Sequence, residues 1–141
     1  MPEYILREMA VDDHQFIYKL VEEYLRTDFS VTVLALKSFD EYFKAYSEND
    51  LKTYIIIVND ERAGFVHITK DGEIGYYLTK KYQNKGIAVN AVNDMLKLHP
   101  KERYFATVNI NNIRSNNLVK KLGFKPKGII YEKKNGLVEK N

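Results

Sequence analysis

Cysteine is absent from the 141 residues. That excludes a disulfide framework, a thiolate metal site and a cysteine nucleophile, so no acyl-cysteine enzyme intermediate is possible. Tryptophan is also absent, and no stretch approaches the ~18 consecutive apolar residues that a membrane span needs. The first residues, Met1-Pro2-Glu3-Tyr4-Ile5-Leu6-Arg7, carry no secretory apolar region. A cytoplasmic protein with no membrane association is the expectation. Charge is not of one sign either: 22 basic against 19 acidic residues leave +3, and the basic residues are scattered apart from pairs such as Lys80-Lys81, Lys120-Lys121 and Lys133-Lys134. Such scatter is no nucleic-acid footprint, and no nucleic-acid partner is expected. No repeat or low-complexity tract divides the chain, and its length fits a single domain over 1–141.

Glycine and proline are few, 7 and 3, so the turns they mark stand out. Residues 4–9 read as a first strand. Asp12-x-x-Gln15 follows as a capping box for a helix whose apolar face is Phe16, Ile17, Leu20, Val21, Tyr24 and Leu25. The region 31–47 mixes a strand-like start with Phe39, Tyr42, Phe43 and Tyr46 at helical spacing, which we read as loop then helix. Residues 53–58 and 63–69, joined through Asn59-Asp60-Glu61-Arg62, form a hairpin, and Lys70-Asp71-Gly72 turns into a third antiparallel strand starting at Glu73. A fifth strand is expected over 103–108. A last hairpin over 128–132 and 137–139 is expected around Asn135-Gly136.

Between the Glu73 strand and the next helix lies Gln83-Asn84-Lys85-Gly86-Ile87-Ala88, after which Ala91, Val92, Met95 and Leu96 recur at helical spacing. A strand, a glycine turn and a helix N-terminus make an anion site. The first backbone N–H groups of a helix are free, and the macrodipole favours negative charge there. Gly86 permits close backbone approach, and Lys85 adds positive charge. Further on, Asn112-Ile113-Arg114-Ser115-Asn116-Asn117-Leu118-Val119-Lys120-Lys121-Leu122-Gly123-Phe124 reads as a capped short helix stopped by Gly123.

These two segments, in this order and at this separation, resemble the GCN5-related N-acetyltransferase (GNAT) family. The Asn-x-x-Ser and Lys-Leu-Gly-Phe wording is most similar to its ribosomal-protein N-terminal acetyltransferase-like branch. The resemblance implies an α+β fold, the GNAT acyl-CoA N-acyltransferase fold. It consists of a mixed, mostly antiparallel sheet of about six to seven strands flanked by about four helices. The Glu73 and Arg103 strands would run parallel and splay apart to hold the pantetheine arm of acetyl-CoA, the cosubstrate. It implies further that Gln83, Asn84, Lys85, Gly86, Ile87 and Ala88 bind the CoA pyrophosphate and that Leu78 pairs with pantetheine. Asn112 would hydrogen-bond the arm, and Ser115, Asn117 and Lys120 would lie near the cofactor.

Acetyl transfer to an amine needs a held thioester, a deprotonated nucleophile, a stabilised oxyanion and a proton for the leaving thiolate. An amine of pKa ~10.4 is mostly protonated at neutral pH, so a carboxylate or water chain helps. Glu73 resembles the strand glutamate that is the base in the histone-acetylating branch, with spacing to the glycine loop one residue shorter; an exposed strand-edge glutamate is the alternative. His67 is a second choice of base, whereas His14 and His99 look like surface positions. An N–H near Leu78 is the oxyanion donor. Many family members carry a tyrosine where this chain has Val119, so the proton donor falls to Ser115 through water or to Tyr131. The resemblance places the acceptor near 24–32, with a small-molecule amine or a peptide N-terminus as acceptor, and the open sheet edge of the short last strand allows a homodimer as one arrangement. The competing readings are a non-catalytic acyl-CoA-binding domain and a small nucleic-acid module.

Overall fold

The computed structural model describes residues 2–27, 37–133 and 135. Its sheet has four antiparallel strands in sequence order, β1 (Ile5–Glu8), β2 (Lys52–Val58), β3 (Glu61–Ile68) and β4 (Ile74–Leu78). The β2–β3 turn is Asn59-Asp60 alone, with both residues at positive φ (50° and 62°). Asparagine and aspartate tolerate that conformation, and it matches the twist of a two-residue hairpin. β3 therefore starts at Glu61, two residues earlier than the composition suggests.

Alternation splits the strand side chains between two layers. Ile55 and Phe65 face one side, where they pack with Ile17, Val21 and Leu25 of α1 (His14–Thr27) and with Tyr42 and Phe43 of α2 (Phe39–Glu48). Ile56, Val58, Val66, Ile68 and Ile74 face the other side, against Ile87, Ala91, Val92 and Met95 of α3 (Ile87–Leu98). α4 (Ile113–Lys121) buries no residue fully, and the chain beyond it adds Leu122 and Phe124 to the α3 layer. Gly123 ends α4 at φ 92°, with its N–H on the Lys120 carbonyl and that of Phe124 on the Val119 carbonyl, the expected left-handed stop.

Two expectations change, and a third falls outside the described residues. The capping box at the first helix is not Asp12-x-x-Gln15. A 3₁₀ turn over Val11–Asp13 precedes α1, and Asp13 Oδ2 accepts from the Ala10 N–H at 2.8 Å. The reason is Asp13 itself, fully buried and held by the Arg7 fork at 2.9 Å through both nitrogens and by Arg62 Nε at 2.9 Å. Second, the sheet has four strands rather than six to seven among the described residues. Of 103–108 only Phe105 pairs, in one parallel bridge with Glu73, and 128–132 is exposed chain without strand pairing. A strand needs a ladder, and Phe105 has neighbours on one side for one residue only. Third, the expected last turn and strand, at Gly136 and 137–139, lie outside the described residues, as do 28–36 of the region around the first helix connection. α2 begins where the capping pair Ser38 and Glu41 places it: Ser38 Oγ accepts from the Glu41 N–H at 3.3 Å, and Glu41 Oε1 accepts from the Ser38 N–H at 3.3 Å.

Candidate active site

β4 has a paired edge and an open edge. The Thr79 N–H donates to the Ala63 carbonyl on β3 (2.9 Å), while the Ile74 N–H donates to the Phe105 carbonyl on the opposite side (2.9 Å). Successive residues alternate, so the N–H groups of Tyr76 and Leu78 point to the Ile74 side. Past Phe105, no strand among the described residues pairs along that edge. The parallel pair thus meets at Glu73 and Phe105 and makes no further strand pairing beyond them among the described residues. The slot so formed is lined by main-chain donors, the requirement for adding an extended ligand to a sheet edge.

The glycine loop closes one end. Asn84 (φ 61°) and Gly86 (φ 81°) are both left-handed, and Gly86 is the N-cap of α3 without a side-chain cap. Asn84, Lys85 and Gly86 are exposed, whereas Ile87 and Ala88 are buried under the helix. Gly86 requires no side chain at that φ, and its carbonyl accepts from Asn90 Nδ2 at 2.8 Å. Gln83 turns inward: its Nε2 donates to the Leu78 carbonyl at 3.0 Å and its Oε1 accepts from Arg114 Nη1. The loop is thereby tied to β4 and to α4 together. An uncapped helix N-terminus beside Lys85 suits a phosphate, so these residues fit the diphosphate of a nucleotide cosubstrate.

α4 supplies the other wall. Asn112 Oδ1 accepts from the Ser115 N–H at 3.1 Å as the N-cap, and Asn112 Nδ2 donates to Tyr24 Oη on α1 at 2.6 Å. Ser115 Oγ is hydrogen-bonded to the Tyr76 hydroxyl on β4. A polar chain Tyr24–Asn112–Ser115–Tyr76 therefore crosses between α1, α4 and β4. Burial pushes the Tyr24, Tyr76 and Tyr77 phenols up, so all three stay protonated at neutral pH. Tyr77 faces the α1 layer, edge-on to Tyr24 with centroids 5.4 Å apart and stacked on Phe65 at 5.0 Å.

Glu73 sits at the point where the strands part, half-buried, with Oε2 accepting from Thr107 Oγ1 at 3.0 Å. His67 lies across β3 and β4: a Cβ at Gly75 would come within 2.1 Å of its Nε2. Its Nδ1 is buried without a hydrogen-bond partner, and burial pushes the imidazole down to about 4. Held neutral, the ring packs against Gly75 between β3 and β4. His14 stacks on Phe43 at 4.0 Å, and His99 shares a 2.7 Å hydrogen bond with Tyr54, so neither is a bare surface position. Asn117 and Lys120 are exposed along α4, and Val119 is half-buried. Tyr131 is 89% exposed on the unpaired C-terminal segment. Tyr24 lies on the apolar face that the sequence assigns to the first helix, and period-two alternation along 74–78 is the signal that separates Tyr76 from Tyr77.

The sequence pattern of the acetyltransferase (GNAT) domain matches residues 4–125. The chain belongs to the GNAT acetyltransferase family. Its fold is shared with solved structures at low identity. RimL, a ribosomal-protein alpha-N-acetyltransferase in complex with coenzyme A, is 18% identical with a TM-score of 0.68, covering 89% of this chain and 81% of that one. Spermidine N-acetyltransferase from Vibrio cholerae, in complex with CoA and spermine, is 19% identical at TM-score 0.71, covering 89% and 82%. A domain from Methanocaldococcus jannaschii is 22% identical at TM-score 0.74, covering 90% and 91%. No curated protein sequence matches the chain. Among the described residues no helix of this GNAT protein is long and apolar enough to cross a membrane, and no cluster of metal-ligating side chains occurs.

Proposed function

We propose that this GNAT protein, acting as a single domain, transfers an acetyl group from acetyl-CoA to a primary amine by direct attack in a ternary complex. The observation that carries this reading is the open edge of β4. It presents the Tyr76 and Leu78 N–H groups to a slot that begins at Glu73 and Phe105 and is bounded by the Gly86 loop and by Asn112. In this reading the backbone of Gln83, Asn84, Lys85, Gly86, Ile87 and Ala88 holds the pyrophosphate. Leu78 pairs with the pantetheine arm, and Asn112 and Ser115 flank it, with Asn117 and Lys120 on the outer face of α4. The Leu78 N–H meets the developing oxyanion, where a fixed amide is worth most. Glu73 receives the proton of the amine, directly or through water.

For the leaving thiolate, of intrinsic pKa near ~8.5, Ser115 is the proton donor, since Tyr131 is 89% exposed whereas Ser115 sits on the slot wall. RimL and spermidine N-acetyltransferase suggest the two acceptor classes, a peptide N-terminus and a polyamine. The test is to incubate the protein with labelled acetyl-CoA and a panel of N-terminal peptides, polyamines and amino sugars, and to read acetylated product by mass. Product on one class supports the reading. CoA bound with no product on any amine supports the second reading, a CoA-binding domain without turnover, which Val119 favours because it offers no proton.

A further inference from the structure

The hydrogen bond between Tyr76 on β4 and Ser115 on α4 joins the two elements at the slot. Ser115 has its N–H committed to Asn112 Oδ1 at 3.1 Å, which fixes its backbone. Its hydroxyl can either donate to Tyr76 or accept from it. A phenol is the more acidic hydroxyl of the two, so the favoured direction is Tyr76 donating and Ser115 Oγ accepting. The serine proton is then free to point elsewhere, and donation into Oγ polarises that O–H further. Val119, one turn along the same face of α4, has no proton to give. Tyr24, the other phenol nearby, is bonded to Asn112 rather than to Ser115.

We propose that Tyr76 is the positioning residue for Ser115. Its O–H holds Ser115 Oγ so that the serine proton faces the slot in which the leaving sulfur forms. The inference rests on the acetyltransferase reading above. As the amine nitrogen bonds to the thioester carbon, the carbon–sulfur bond breaks and the electron pair goes to sulfur. The Ser115 proton moves to that sulfur. Water carrying the proton that the amine gave up replaces the serine proton in the same step, so that no free serine alkoxide forms beside the Tyr76 hydroxyl, and one amine and one thioester become one amide and one thiol. Tyr76 keeps its own proton throughout, in accord with a phenol whose burial opposes ionisation.

The test is a double-mutant cycle with Tyr76→Phe and Ser115→Ala on the full chain. It is read as thiol release from acetyl-CoA, with and without amine, alongside the CoA dissociation constant and the unfolding midpoint. Ser115→Ala should lower kcat by about 10²-fold and Tyr76→Phe by about tenfold or more. The double variant should be no slower than Ser115→Ala, because residues acting as a unit are not additive. CoA affinity should change less than twofold, and Ser115→Thr, which keeps the hydroxyl, should retain most of the rate. Losses that multiply, a Tyr76→Phe effect confined to KM, or coupling of Ser115 to Tyr24→Phe with Tyr76→Phe neutral would overturn the assignment while leaving the transferase reading intact. A parent protein that binds CoA and accelerates no thiol release overturns both.

Discussion

The two ends of the sheet treat their polar groups in opposite ways. At the β1 end every valence of Asp13 is satisfied: both Arg7 nitrogens, Arg62 Nε and the Ala10 N–H converge on it at 2.8–2.9 Å, and its side chain is 1% exposed. At the β4 end the main-chain donors of Tyr76 and Leu78 face a slot with no strand beside them among the described residues, and the helix behind the Gly86 loop has no side-chain cap. A saturated cluster of this kind holds the fold together. An unsaturated one is ready to take a ligand, and its open hydrogen-bonding groups are the cost of that readiness.

If the comparison is right, Asp13 belongs to stability and the slot to binding, and variants should separate the two. Asp13→Ala, which leaves the Ala10 N–H and two partly exposed arginines without their partner, should cost about 1–3 kcal/mol in denaturant unfolding. The fraction that remains folded should bind CoA as the parent does. A loss below about 1 kcal/mol would mean that the clamp is ornamental. The arginines hold the Asp13 carboxyl well below the usual carboxylate range. Its stabilisation is therefore fully present above the unfolded value of ~3.9 and is lost as pH falls below it toward the folded value.

His67 acts in a different window. Its folded value of about 4 lies below the ordinary ~6.5, so the unfolded chain binds the extra proton. Stability should hold above pH ~6.5 and fall between there and pH ~4, by on the order of 1–3 kcal/mol, with the slope removed in His67→Gln. An unchanged slope in that variant would place the titration elsewhere. Smaller again is Asn112→Ala. Loss of the α4 cap should cost about 1 kcal/mol in stability, and loss of a hydrogen bond to the bound arm should weaken CoA about tenfold in titration calorimetry. Tyr24→Phe, which removes only the partner of Asn112 Nδ2, should cost about 0.5–1.5 kcal/mol or less at this partly exposed site.

Much of this is legible in the sequence alone. The Gly86 turn before α3, the Asn112 cap and the Gly123 stop are local signals in which one residue type answers one backbone demand, and all three stand where they were expected. The three antiparallel strands after Asp50 follow from short turns for the same reason. What the residues did not reveal are features set by distance in sequence. Asp13 is captured by Arg62 from 49 positions away, which moved the helix start off Asp12. Phe105 lies in an apolar stretch that reads as a strand, yet pairing depends on neighbours that local propensity cannot supply, and it makes one bridge only. Tyr76 and Tyr77 are adjacent and chemically alike, but alternation sends one to Ser115 and the other to Phe65.

The central claim is that the open edge of β4 and the Gly86 loop form a CoA site. Calorimetric and thermal-shift titration of the protein with acetyl-CoA, beside a Gly86→Glu variant, tests it most directly. Glutamate is strained at φ 81° and brings negative charge to the helix N-terminus. The account predicts saturable binding in the parent, with about 2.7 kcal/mol of added stability at ~100 times the dissociation constant, and none in a folded variant. Equal binding in both, or no binding by the folded parent, would contradict it.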